Sequence, residues 1–376
     1  MKVMYICAKH PPYDKRVYYK ISMIIKNCGH EVINLTPNTE KYLSEHGIQL
    51  VGFPQKRGMI GRIRSLVSLY IIGKELNADV LIAPEPDSLI IAYLIKLAHK
   101  RTKVIFDCHE WYDVYFYGKI GFRCLEKILN AFVAFGMIFV CKRIEAVICV
   151  NDTMTQYFSK FNPNVYTVPS LPDIYYRPTK KMMKKGFIFF GSFVFKRQET
   201  ILLDAAQELK NKGCQAQIIV IGGYPPGPEF DKAHHSFIEE IINRGLENHI
   251  QYIRWLPRGQ AYNLLSYGLA GIMRFDPPVY IDRPALPNKL WEYMASRMAI
   301  IASDKNKEIK RIILQESCGV LLKEETGEAL ANAIIYLTQH KEIANKMGEN
   351  AYNAIATTYN WEKYSDLVDE ILKKLA

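Results

Sequence analysis

Short apolar runs alternate with stretches of helical periodicity along almost the whole chain, and no other feature restricts the fold as much. Lys2–Cys7 reads as a strand; Val17, Ile21, Ile24 and Cys28 then recur at helical spacing, and Gly29 stops that helix. Strands follow at Glu31–Leu35, Gln49–Phe53, Val80–Ala83, Val104–Phe106, Ala146–Val150 and Tyr166–Val168. Helical stretches intervene at about 60–76, 88–100, 119–143 and 152–160. Such alternation predicts a parallel sheet covered by helices. Residues 171–185 break the pattern with Pro172, Pro178 and the lysines at 180, 181, 184 and 185, as a linker does. The alternation resumes at Phe187–Phe190 and passes through strands near 217–221, 250–253, 270–273, 299–302 and 319–322. A helical tail ends the chain, with Trp361, Tyr364, Leu367, Val368 and Ile371 at helical spacing. The pattern predicts two doubly wound, Rossmann-like α/β domains, 1–170 and 186–355, joined by 171–185. Ligands of such domains bind at the carboxyl ends of the strands, so a site in a cleft between the two domains is expected.

Charge narrows the choice of ligand. The formal net charge is +11, and residues 1–180 carry 24 Lys and Arg against 15 Asp and Glu, while 181–376 carry 25 against 23. The basic first half implies an anionic partner: nucleic acid, an anionic membrane face or a phosphorylated substrate. Lys56, Arg57, Arg62, Arg64, Lys119, Arg123, Lys127, Lys142 and Arg143 flank apolar stretches there, and Trp111, Tyr112, Tyr115, Phe116, Tyr117 and Phe122 interleave with part of the set. That composition suits the headgroup level of an anionic bilayer, although core packing with solvated cations explains it too. The eight cysteines contain no Cys-x-x-Cys pair, which removes zinc-ribbon and thioredoxin-like folds and points to a reducing, cytoplasmic setting. The apolar stretch before His10-Pro11-Pro12 is too short for a signal peptide. Ile128–Val140, the longest apolar stretch, is interrupted by Asn130 and falls below the roughly 20 residues of a spanning helix, so no membrane crossing is expected.

The most informative segment is Asp282–Ser296. Pro287 suits a helix start, the free N–H groups of a first turn attract anions, and Lys289 adds a positive charge. Glu292, a turn later, is placed to accept hydrogen bonds from sugar or ribose hydroxyls. A capped surface helix accounts for the same residues. Pro287-Asn288-Lys289-Leu290-Trp291-Glu292-Tyr293-Met294-Ala295 resembles the PNKxxEYMA signature of retaining GT-B-fold glycosyltransferases of the family-4-like, group 1 type. The resemblance extends through Gly29-His30-Glu31-Val32, Phe106–Glu110, Ile300–Asp304, Ser317–Leu322 and Trp361-Glu362, in the family's order. It implies that the final helix, 356–376, packs back towards the first domain.

By that resemblance, Glu292 is the second Glu of a Glu-(seven residues)-Glu motif and binds the nucleotide ribose. Pro284 stands where the first Glu belongs, so either Ala285, Leu286, Pro287, Asn288 and Lys289 contact the donor sugar, or the donor differs from the family's usual ones. In Phe190–Gln198 the family's Arg after the Gly is Ser192, following Gly191, and its Lys is Arg197, which can grip phosphate oxygens bidentately. Gly222, which ends another strand, and Arg254, beside Trp255, complete the donor side. In the first domain the resemblance puts His109 near the reacting centre. Asp14, Arg16, Asp107 and Glu110 are acceptor-side candidates, with helix capping an equal reading of Asp14.

The resulting expectation is a cytoplasmic transferase that retains anomeric configuration and moves a sugar from a UDP- or GDP-sugar to a saccharide, carried on lipid, at the inner membrane face. The product would be a surface polysaccharide or glycoconjugate. His109, Arg197 and Lys289 would carry the chemistry. No cofactor or metal is expected, since no Asp-x-Asp occurs, and no nucleic-acid partner. A sugar-nucleotide 2-epimerase and an inactive donor-binding subunit fit the same fold; a dinucleotide oxidoreductase does not, because no Gly-x-Gly-x-x-Gly follows the first strand.

Overall fold

Runs such as Val3-Met4-Tyr5-Ile6 and Ile300-Ile301-Ala302 have no polar face, and strands of that kind persist only where helices cover both sides of a sheet. Both runs are fully shielded in the computed structural model. It describes residues 1–375 apart from 57, 172–185, 194–195 and 276–279, and, for Arg258, the backbone alone. Arg57, Val194, Phe195 and nearly all of the expected linker therefore lie outside the described residues. The chain divides into two units, Met1–Ser170 with Trp361–Ala376, and Leu171–Asn360.

The strands of the first unit are β1 (Lys2–Ile6), β2 (Glu31–Pro37), β3 (Tyr42–Leu43), β4 (Gln49–Phe53), β5 (Val80–Ala83), β6 (Lys103–Cys108), β7 (Ala146–Cys149) and β8 (Val165–Thr167). Among the described residues they form one sheet, ordered β3-β4-β2-β1-β5-β6-β7-β8. Every neighbouring pair is parallel except β3 with β4. The order reverses at β1, whose Val3 stands between Val32 and Val80. The helices are α1 (Met23–Asn27), α2 (Gly58–Leu76), α3 (Pro86–Ala98), α4 (Arg123–Cys141) and α5 (Asp152–Phe158). Ile6, Leu35, Leu81, Phe106 and Phe158 are at the centre of the core.

Two local features depart from the sequence pattern. The helix begun at Val17 is a π-helical turn, Val17–Ser22, before α1. The apolar stretch counted as Ile128–Val140 lies inside α4, whose 19 residues are long and apolar enough to cross a bilayer by length and composition. The sequence count stopped at Lys127 and Asn130, whereas the helix runs through both. Met137, Val140 and Cys141 of α4 nevertheless belong to the domain core, so leaving the sheet would uncover them.

The second unit carries β9 (Phe187–Ser192), β10 (Ile218–Gly223), β11 (Ile250–Ile253), β12 (Ala270–Ile272), β13 (Ala299–Ser303) and β14 (Gly319–Leu322). Their order is β11-β10-β9-β12-β13-β14, all parallel. Its helices are α6 (Lys196–Asn211), α7 (Pro228–Asn243), α8 (Arg258–Leu265), α9 (Asn288–Ala295), α10 (Lys307–Glu316), α11 (Gly327–Gln339) and α12 (Lys341–Thr357). Phe187, Leu202, Ile301 and Leu330 lie in a separate core. The last helix, α13 (Trp361–Lys373), belongs to the first unit and packs on α1, burying Val368, Ile371 and Leu372.

Candidate active site

Each sheet reverses its strand order once, and each reversal gathers polar side chains. In the second unit the reversal lies between β9 and β12. These strands are paired only at Phe187↔Ala270 and Ile188↔Gly271. Beyond that point the Tyr293 hydroxyl of α9 stands between them, accepting the Phe190 N–H at 2.7 Å and donating to the Ile272 carbonyl at 3.2 Å. A Cβ at Gly271 would lie 2.3 Å from the Tyr293 ring, so only glycine admits this insertion. The strands part at the place where doubly wound sheets bind ligands.

Lys289, in the first turn of α9, reaches over the Phe190 ring at 3.8 Å and pairs with Glu292 at 2.8 Å. Glu292 is buried, and its other oxygen accepts the Tyr262 hydroxyl at 2.6 Å. A carboxylate offers about four acceptor positions, of which Lys289 and Tyr262 take two among the described residues. The Lys289 stem passes 3.5 Å from where a Gly191 Cβ would stand. Pro287 is the residue before the first helical one, with Leu286 half-buried and Asn288 exposed. The site residues Gly191, Lys289 and Glu292 thus come together around Phe190.

Other expected donor-side residues are placed differently. Arg197, in the first turn of α6, pairs with the buried Glu325 at 2.7 Å, and Lys305 approaches the same carboxylate at 3.5 Å. Its side chain remains 42% exposed, enough to contact a ligand without leaving Glu325. Ser192 is exposed at the end of β9. Gly222 has φ 110°, and a Cβ there would stand 2.6 Å from the Gly191 carbonyl oxygen; its demand is the close approach of β9 and β10. Arg254 bonds Asp231 at 2.6 Å and the Pro225 carbonyl at 2.9 Å, which ties two loops together. Trp255 is 61% exposed and is not a core residue.

In the first unit the reversal lies between β1 and β5. Arg16 and Asp107 are both buried and bound to each other, Nη2 to Oδ1 at 2.7 Å. Arg16 also donates to the Val168 carbonyl at 2.9 Å and Ser170 Oγ at 3.3 Å. Asp107 accepts the Tyr5 hydroxyl at 2.9 Å and lies 2.9 Å from His109 Nε2. Burial pushes the Asp107 pKa up, but the Arg16 and His109 charges and their hydrogen bonds hold it well below the usual carboxylate range. Both residues are thus buried, Asp107 lying between Arg16 and His109. Their charges are buried because they are paired.

His109 meets His10 edge to face, ring centroids 5.3 Å apart. His10 Nδ1 lies 3.2 Å from Asp14 Oδ2, and its Nε2 lies 3.7 Å from Glu85. Burial lowers the His10 pKa, yet the Asp14 hydrogen bond and the Glu85, Asp14 and Asp107 charges raise it overall. Asp14 also accepts the Arg16 and Val17 N–H groups at 2.8 and 2.9 Å, so it caps the π-helical turn as well as holding His10. Glu85 accepts N–H groups from Ala8, Lys9 and His10 at 3.0–3.2 Å. It also forms a capping box with Ser88 at the start of α3. Glu110 is exposed. Among the described residues no group of three or more His, Cys, Asp or Glu is placed to hold a metal ion.

Sequence reasoning passed over Tyr262, Tyr293, Glu325, His10 and Glu85. Glu85, His10 and Glu325 had a signal, since each follows a strand at the carboxyl edge. Tyr262 comes from a separate helix and had none.

The family model for glycosyl transferases group 1 matches residues 176–354, and that for Glycosyltransferase Family 4 matches residues 16–170. Between them they account for nearly the whole chain, one model to each unit. The second unit thus carries a glycosyl transferases group 1 domain and the first a Glycosyltransferase Family 4 domain. A curated relative is alpha-D-kanosaminyltransferase of Streptomyces kanamyceticus, 21% identical over 188 residues. That alignment spans 50% of this chain and 45% of the relative, less than half its length. Among solved structures, Anabaena HepE in complex with UDP superimposes with a TM-score of 0.74 at 13% identity, covering 100% of both chains. Sucrose-phosphate synthase from Thermosynechococcus elongatus matches with a TM-score of 0.74 at 13% identity, covering 100% of this chain and 98% of that one. These likenesses show the GT-B fold, two Rossmann-like α/β domains.

Proposed function

We propose that this protein is a group 1 glycosyltransferase that moves a sugar from a UDP- or GDP-sugar to a hydroxyl of a lipid-linked saccharide, with retention and without a metal ion. The product enters a surface polysaccharide or glycoconjugate, and the enzyme works at the inner, anionic face of the cell membrane. The observation that carries the proposal is the Lys289–Glu292–Tyr262 arrangement beside Gly191, at the strand reversal of the second unit. UDP in the HepE structure supports the donor class, and the name of the kanosaminyl relative supports sugar transfer.

In this reading the ribose hydroxyls donate to remaining acceptor positions of Glu292. The diphosphate lies against Lys289, Arg197, Gly191 and the free N–H groups that open α9, with Leu286–Asn288 along the donor sugar. As the glycosidic bond breaks, negative charge grows on the departing diphosphate, and fixed cations and N–H groups stabilise that charge most in the transition state. Lys289 keeps donors beyond the one given to Glu292. His109, held by Asp107 and Arg16, bears on the reacting centre; Asp14 and Glu110 lie on the acceptor side.

The test is kinetic and thermodynamic. UDP and GDP are titrated with and without excess chelator; tenfold weakening on chelation, about 1.4 kcal/mol, would end the metal-free reading. Arg197→Ala should lower kcat by about 10²–10³, whereas Glu292→Gln should act mainly on donor KM. Near-normal kinetics in both would mean that the donor lies elsewhere. Without acceptor the donor sugar should keep its configuration, which separates transfer from 2-epimerisation.

A further inference from the structure

The helices α2, α3 and α4 each connect parallel strands on one side of the first sheet, and they pack side by side, α2 on α3 and α3 on α4. Their inner faces belong to the core, through Leu69, Ile95 and Val140 among others. Their outer faces are apolar too. On α2, Met59, Ile63, Val67 and Ile71 are exposed, Met59 to 83%. On α3 the exposed residues are Ile90, Leu94 and Leu97. On α4, Leu125, Ile128, Phe132, Phe135 and Phe139 form a stripe at helical spacing, with Phe132 and Phe135 exposed to 75% and 71%. A protein surrounded by water seldom exposes so many large apolar side chains on adjoining helices.

The exposed charges around this face are mostly cationic, Glu75 near the end of α2 being an exposed carboxylate among them. Arg62, Arg64, Arg123 and Lys127 lie towards the helix starts, and Lys100, Arg101, Lys142 and Arg143 at or beyond the helix ends; all are exposed. Two of the carboxylates on these helices are engaged. Glu126, the only acid of α4, is turned inward onto the Ile120 and Gly121 N–H groups. Asp87 of α3 pairs with Arg62 and Lys9. A second copy of the chain laid on this face would bring one cationic rim against another, whereas an anionic lipid surface meets the same rim with opposite charge.

We infer that the α2–α3–α4 face seats this protein in the anionic leaflet by insertion, with the Phe132/Phe135 stripe below the headgroups and the cationic rim at their level. The inference deepens the membrane part of the proposed function and rests on it: contact with the leaflet is apolar as well as electrostatic. Faces of this kind sink about 5–10 Å, to the boundary between headgroups and chains. The acceptor's lipid and the transferase would then share one leaflet.

The experiment is flotation of the full chain with vesicles of phosphatidylcholine alone and of phosphatidylcholine with phosphatidylglycerol. Binding to anionic vesicles should survive about 1 M salt, where the screening length is only ~3 Å. Phe132→Ser with Phe135→Ser should cut the partition constant at high salt at least about tenfold, with UDP or GDP binding and melting temperature unchanged. Because both rings are exposed, folding is preserved; Lys127→Glu with Arg143→Glu serves as a second variant and should weaken binding mainly at low salt. Complete release by salt would overturn insertion while leaving peripheral association standing. No binding to either vesicle would overturn both. A concentration-dependent dimer that Phe132→Ser with Phe135→Ser dissolves, in a chain that ignores vesicles, would assign the face to a second copy.

Discussion

Asp14 shows how much one carboxylate can hold. Burial raises its pKa, but the hydrogen bond from His10 and the N–H groups of Val17 and Arg16 bring it down from 3.8 to about 2. A carboxyl depressed on folding stabilises the protein above its unfolded pKa, and that stability is lost as pH falls through the folded value. The window is therefore from about pH 4 down to about pH 2, and its size is about 2 kcal/mol. Asp14→Asn should be destabilised by up to that amount near pH 6, and its deficit should narrow as the pH approaches about 3. Urea melts of both proteins at a series of pH values check this; a pH-independent deficit would deny the carboxylate its role. The raised pKa of His10 works in the opposite sense, contributing below the ordinary histidine range and fading as pH rises through the raised value. Both shifts report one contact, so they are counted once.

At the scale of elements, the insertion of α9 between the ends of β9 and β12 makes the second site. Three conditions have to coincide: glycine at 271, tyrosine at 293, and a helix that starts where Pro287 ends the extended chain. Tyr293→Phe would leave the Phe190 N–H and the Ile272 carbonyl without the hydroxyl that joins them. An unsatisfied buried group costs about 1–3 kcal/mol, so the urea midpoint of the second unit should fall accordingly. An unchanged midpoint would show that the strand ends find other partners. The first unit uses a carboxylate for the matching task, since Glu85 gathers the N–H groups after β1 while it caps α3.

At the scale of the molecule, the chain divides into two units, each with its own sheet and its own cluster of buried apolar residues. Stability supplied by a ligand goes to the unit that binds it. Scanning calorimetry should therefore resolve two transitions, and UDP or GDP should raise only one of them, by RT ln(1 + [L]/Kd). Chelator should leave that shift intact. A single transition displaced as a whole would mean that the units melt together, contrary to this expectation.

The sequence by itself determined the strands, because doubly buried strands must be apolar along their whole length. Thirteen runs marked in that way correspond to strands in the structure. Among the described residues only Tyr42–Leu43 escaped; it is an exposed edge pair of two residues with no apolar run to announce it. The Asp282–Ser296 segment was legible for a similar reason, since Pro, Lys and Glu at fixed offsets on a helix start need no distant partner to be recognised. Only tertiary structure decided which charges are committed elsewhere. Arg16 and Asp107 are 91 residues apart in sequence and Arg197 and Glu325 are 128 apart, separations at which no local periodicity operates. The exposed face of α2, α3 and α4 was hidden in the same way. An apolar residue reads alike in sequence whether it meets the core or the outside, and only the packing of the helices on the sheet tells the two apart.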